Sequence, residues 1–66
     1  MNKRQLRKEI LTRKTKLFSE GALLMYNANN EFYNVALMNA GRCVAITNEL
    51  LRLRIELENL SKEARK

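Results

Sequence analysis

Seven of the first sixteen residues are cationic. In MNKRQLRKEILTRKTK they are Lys3, Arg4, Arg7, Lys8, Arg13, Lys14 and Lys16, opposed by one acid, Glu9. Their net +6 equals the formal charge of all 66 residues. The chemistry open to such a cluster is recognition, because guanidinium and ammonium groups bind phosphate and carboxylate oxygens. Arg4, Arg7, Lys8, Arg13 and Lys16 are the candidate contacts to phosphates or to an acidic partner. Cations at a helix N-terminus oppose its dipole, so Lys3, Arg4 and Arg7 are poorly placed for stability alone. That favours a use outside the chain, while a solubility face is the commoner explanation of scattered Lys and Arg.

Bond-making chemistry has little to work with. The chain has no His, which removes the commonest acid–base group and the commonest metal ligand. Cys43 is the only cysteine, with no Cys-x-x-Cys motif, and reads as a small buried apolar residue. No Gly-rich phosphate loop and no Ser/His/Asp set is visible. The expectation is a protein that is not an enzyme and takes no cofactor or metal.

Sixty-six residues make one domain, residues 1–66, with a core small enough to need a staple. A single cysteine cannot form an intramolecular disulfide, so oligomerisation is the remaining staple. No run of 18 apolar residues could cross a membrane. Glu9, Arg13, Lys14 and Lys16 interrupt what would be the apolar core of a signal peptide. A cytoplasmic protein with a reduced thiol is expected. Lys3, Arg7 and Lys14 intrude on the apolar side of the first helix, and no Trp anchors it, which argues against a membrane surface.

Zero Pro, two Gly and abundant Leu, Ala, Glu, Lys and Arg predict helix. The periodicity gives two, at about 3–28 and about 31–64. In the first, Leu6, Ile10, Leu17, Leu24 and Ala28 follow 3- and 4-residue steps, with Arg13 or Lys14 and Gly21 in the gaps; Leu11, Phe18 and Met25 widen the face. In the second, Phe32, Ala36, Asn39, Cys43, Ile46, Leu50, Leu53, Leu57, Leu60 and Ala64 make a coiled-coil seam. Tyr33, Leu37, Ala40, Val44 and Leu51 run beside it. A face that wide predicts contact with more than one helix.

Tyr26-Asn27-Ala28-Asn29-Asn30-Glu31 reads as the turn, with Asn29 closing the first helix and Asn30 capping the second. The alternatives are one continuous rod of roughly 90 Å, or a break at Gly41. A turn near 29–30 makes opposed residue numbers add to about 59. Phe18 then faces Gly41, Gly21 faces Met38, and Lys3 lies near Glu56. Leu57, Leu60 and Ala64 overhang. Leu50, Leu53, Leu57 and Leu60 are therefore the candidate dimer interface.

Glu49, Glu56 and Glu63 recur every seven residues, where coiled coils place ion pairs. Lys14 is expected to stretch across the core to Glu49. Asn39, on the seam, either fixes register or is wet where the helices splay. Tyr26, Phe32 and Tyr33 gather at the turn end, as a candidate aromatic patch or as the lid of a small core.

The reading is all-α: an antiparallel two-helix hairpin pairing into a four-helix homodimer. In length and architecture it resembles the plasmid RNA-binding hairpin proteins of the Rop type and the small hairpin chaperones of type III secretion. No motif matches either, so neither lends functional residues. Phage or plasmid origin would suit such a chain by association alone. The expected function is a small regulatory or adaptor protein acting on a protein partner through helix faces. The alternative is a basic dimer that binds nucleic acid through phosphates.

Overall fold

Helix α1 starts where Asn2 and Gln5 cap each other. The Gln5 amide N–H donates to Asn2 Oδ1 at 2.9 Å, and the Asn2 amide N–H donates to Gln5 Oε1 at 3.0 Å. This reciprocal box satisfies two donors that a helix start leaves open. The computed structural model describes residues 1–64, with side chains as far as Lys62. The seam position at Ala64, the ion-pair position at Glu63 and the charges of Arg65 and Lys66 lie outside that description. Helix α1 runs Lys3–Asn29 and helix α2 runs Tyr33–Ala64. They pack against each other as a hairpin, with no strand among the described residues. Neither a rod nor a break at Gly41 is formed.

Asn29 closes α1 as expected, but Asn30 does not cap α2. Asn30 is the C-cap of α1, and its Nδ2 donates to the Tyr26 carbonyl at 2.8 Å. The chain then turns at Glu31, whose φ is 63°. The Glu31 amide donates to the Ala28 carbonyl (3.1 Å) and the Phe32 amide to the Asn27 carbonyl (2.8 Å). That is the Schellman pattern, with Glu31 at the left-handed position that usually takes Gly. Phe32 precedes α2 in the N-cap place, its carbonyl accepting from the Ala36 amide at 2.9 Å.

The seam is regular. Among the covered or half-covered positions, one line on α1 runs Lys3, Leu6, Ile10, Arg13, Leu17, Glu20, Leu24 and Asn27, and one on α2 runs Ala36, Asn39, Cys43, Ile46, Leu50, Leu53, Leu57 and Leu60; Glu9, Gly21, Ala28, Ala40, Glu49 and Ser61 flank them. Both follow alternating steps of three and four, the signature of two helices meeting along one stripe. Arg13 pairs with Glu49, and Glu20 with Arg42, so opposed numbers add to 62.

That register corrects several expectations at once. The turn extends to Phe32, which shifts α2 by about three residues against the predicted pairing. Phe18 does not face Gly41: it is 80% exposed. Gly21 does not receive Met38, which is 61% exposed. A Cβ added at either glycine would meet nothing within 4 Å. Arg13, not Lys14, makes the ion pair with Glu49, because the seam passes through 13. Leu57 and Leu60 do not overhang; they are half-covered by the start of α1.

Among the described residues only three apolar ones are buried, Leu6, Ala36 and Leu53. The hairpin measures 53 × 15 × 14 Å, and its radius of gyration is 15.3 Å. A compact chain of this length would have about 11 Å. Its surface is 5473 Å², against about 4,300 Å² for a compact monomer of this mass.

Candidate interaction surface

The seam divides the hairpin into two long sides. On one side α1 presents Leu11, Phe18 and Met25, seven residues apart, all exposed. Beside them on α2 stand Leu37, Val44 and Leu51, again seven apart and all exposed. At the open end this side is a groove floored by Leu11, Leu50, Leu51 and Leu57 and rimmed by Arg7, Lys14, Lys62 and an Arg54 that is paired with Glu58 at 2.9 Å. Toward the turn, the positions between the large residues are small: Gly21 and Ala28 on α1, Ala40 and Thr47 on α2. This broad apolar face, with a basic rim at one end, is the largest unanswered feature of the described residues.

The other side is polar along the middle. Arg13 donates from Nε to Glu49 Oε2 at 2.6 Å and also bonds the Glu9 carboxylate. The hydrogen bond to Glu9, then the one to Glu49, holds the Arg13 guanidinium charged beyond its ordinary range. Further along, Asn39 is 4% exposed. Its Nδ2 donates to Glu20 Oε2 at 3.0 Å, and its Oδ1 accepts from Asn27 Nδ2 at 2.8 Å. Asn39 is thus buried and satisfied rather than wet. No described buried side-chain N or O atom lacks a partner. Near the turn this side becomes apolar again at Leu23, Tyr26, Val35 and Met38.

The nominated residues fall as follows. Arg4, Arg7, Lys8 and Lys16 are exposed, whereas Arg13 is half-buried and engaged with two acids. Seam periodicity puts Arg4 and Arg7 toward the Leu11 side, Lys8 away from α2, and Lys16 toward the Glu9 side. The cations therefore ring α1 instead of forming one stripe. Leu53 is 5% exposed against α1, and Leu50, Leu57 and Leu60 are half-buried in the same seam. The hairpin itself already covers much of these leucines. Tyr26, Phe32 and Tyr33 are all exposed, so they do not close a core. They are divided, with Tyr26 on the Met38 side and Tyr33 continuing the Leu37 stripe.

Sequence reasoning placed Phe18, Val44 and their stripe neighbours on widened apolar faces, but nominated the seam leucines rather than these stripes as the dimer interface. The signal was present in the seven-residue spacing of Leu11, Phe18 and Met25 and of Leu37, Val44 and Leu51. No three Cys, Asp or Glu side chains converge among the described residues as metal ligands would, and no described helix is long and apolar enough to cross a membrane. The chain matches no protein-family model, no curated protein and no solved structure.

Proposed function

We propose that this chain is a small non-enzymatic regulatory or adaptor protein that works by helix-to-helix association, as a four-helix homodimer that binds a protein partner. The observation that carries this reading is where the large apolar side chains stand. Leu11, Phe18, Met25, Leu37, Val44 and Leu51 are outside, and among the described residues only three apolar ones are buried. A hairpin with so small a core is marginal alone, and a partner subunit is the staple left to it. Exposed apolar patches of this extent mark interaction surfaces.

The turn supports a second, outward contact. Glu31 occupies a left-handed position better suited to Gly. Phe32 stands at an N-cap where Asn, Asp or Ser would stabilise α2 through a side-chain oxygen. Two successive residues poorly chosen for stability suit a turn kept for contact, with Tyr26 and Phe32 as its aromatic members.

Nucleic-acid binding is the second reading, favoured by charge. Residues 1–16 carry +6 and residues 49–62 are neutral, so the described open end of the hairpin holds +6 and residues 17–48 carry −1. Arg4, Arg7, Lys8 and Lys16 would contact phosphates, with steep salt dependence. It ranks second because these cations ring α1, and Arg13 is already engaged.

Capture of the tagged protein from its native lysate, with and without nuclease, separates the two. Three forms are compared: the wild type, Arg4→Gln/Arg7→Gln/Lys8→Gln, and Tyr26→Ser/Phe32→Ser. The adaptor reading expects one specific protein to survive nuclease on the first two and to be lost from the third. Recovery of nucleic acid alone, abolished by the triple Gln change, would replace it with the second reading.

A further inference from the structure

We infer that the Leu11–Met25 and Leu37–Leu51 face is covered by a second copy of this chain lying antiparallel to the first, with the two-fold axis at the level of Phe18 and Val44. The inference rests on the homodimer reading above and adds which face is used and in which direction.

The exposed stripes are palindromic. Leu11 and Met25 lie seven residues either side of Phe18, and Leu37 and Leu51 lie seven either side of Val44. Phe18 and Val44 stand level on the hairpin, because their numbers follow the same register as the Arg13–Glu49 and Glu20–Arg42 pairs. A two-fold axis through that level therefore maps the whole apolar face onto itself. Leu11 meets the partner's Met25, Phe18 meets the partner's Phe18, and Leu37 meets the partner's Leu51.

The positions between the stripes choose the direction. In the antiparallel arrangement Lys14 comes opposite the partner's Gly21, and Arg7 opposite the partner's Ala28. On α2, Thr47 comes opposite the partner's Ala40, and Arg54 opposite the partner's Tyr33, a cation over an aromatic ring. On α1, long side chains thus meet small ones, as close packing requires. This gives Gly21 its use, since nothing in its own hairpin fills the space beside it. Turned the other way, with basic ends together, the same face brings Arg7 onto the partner's Arg54, a guanidinium only partly answered by its own Glu58. It also sets Gly21 against the partner's Ala40, leaving a void. That arrangement would stack +6 on +6 at one end as well, where the antiparallel one separates them.

The hairpin exposes about 1,100 Å² more than a compact monomer of its mass, and a standard interface buries about 800 Å² per partner.

The test is the distance between two copies. With Cys43→Ser as background, Asn59→Cys carries a nitroxide on an exposed position near the open end, and dipolar spectroscopy is paired with sedimentation of the same sample. Asn59 lies fifteen residues from Val44, so the antiparallel dimer places the labels about 45 Å apart along the axis, or more. A parallel dimer has no axial separation and gives about 30 Å or less across the bundle. The long distance supports the inference. The short one overturns it and leaves the homodimer standing. Single-chain mass with no intermolecular coupling overturns both.

Discussion

Glu31 shows how much one residue can say about the turn. Its φ of 63° is left-handed, a conformation that costs an L-residue with a Cβ about 1–2 kcal/mol. Glu31→Gly should therefore stabilise the hairpin by about 1 kcal/mol, seen as a higher urea midpoint at fixed protein concentration. No gain would mean that the Schellman turn is not formed. Asn39 is the opposite case, a polar residue that the seam depends on. Asn39→Ala leaves Glu20 and Asn27 without their shared partner and should cost about 1–3 kcal/mol. The same urea titration reads it, and a neutral result would show that the cluster is wet. Arg13 introduces no pH dependence of its own in the neutral range. Its pKa is raised by Glu9 and Glu49, so its contribution is full below the unfolded value and is lost only as pH rises through the folded one.

At the scale of the helices, the seam and the outer stripe have separate jobs. Leu53 is buried between α1 and α2, so Leu53→Ala should unfold the hairpin more readily, by about 2–4 kcal/mol. Phe18 makes no such contact, being 80% exposed. Phe18→Ser should leave the helix content seen by circular dichroism at high concentration largely intact while weakening self-association at least tenfold. Equal damage from both changes would refute the division. Much of this was legible in the sequence. The helix limits, the corner between them and the α2 seam follow from composition and spacing. The register did not follow, because it depends on a turn closed by Glu31, a residue type that carries no left-handed signal. On α1 the seam passes through Arg13 and Glu20, whose charges hide the period that Leu17 and Leu24 reveal. Lys14 and Gly21, one residue on, were equally plausible gap-fillers until Glu49 and Asn39 took up their partners. The Asn2–Gln5 cap was readable as an acceptor three residues before an amide.

For the whole molecule, the decisive quantities are surface and charge. A 53 Å hairpin with three buried apolar residues among those described and 5473 Å² of surface suits the proposed role of half a dimer. Its charge is gathered at the open end, which makes end-to-end opposition the favoured way for two copies to meet. Thermal unfolding should accordingly depend on concentration, with the midpoint rising as the protein is concentrated. The most direct measurement is sedimentation equilibrium of the full chain across a hundredfold concentration range, alongside Phe18→Ser. The account predicts twice the 7.7 kDa chain mass for the wild type at the upper concentrations, and a shift toward single-chain mass for the variant. A folded wild-type chain that stays at single-chain mass throughout would contradict it.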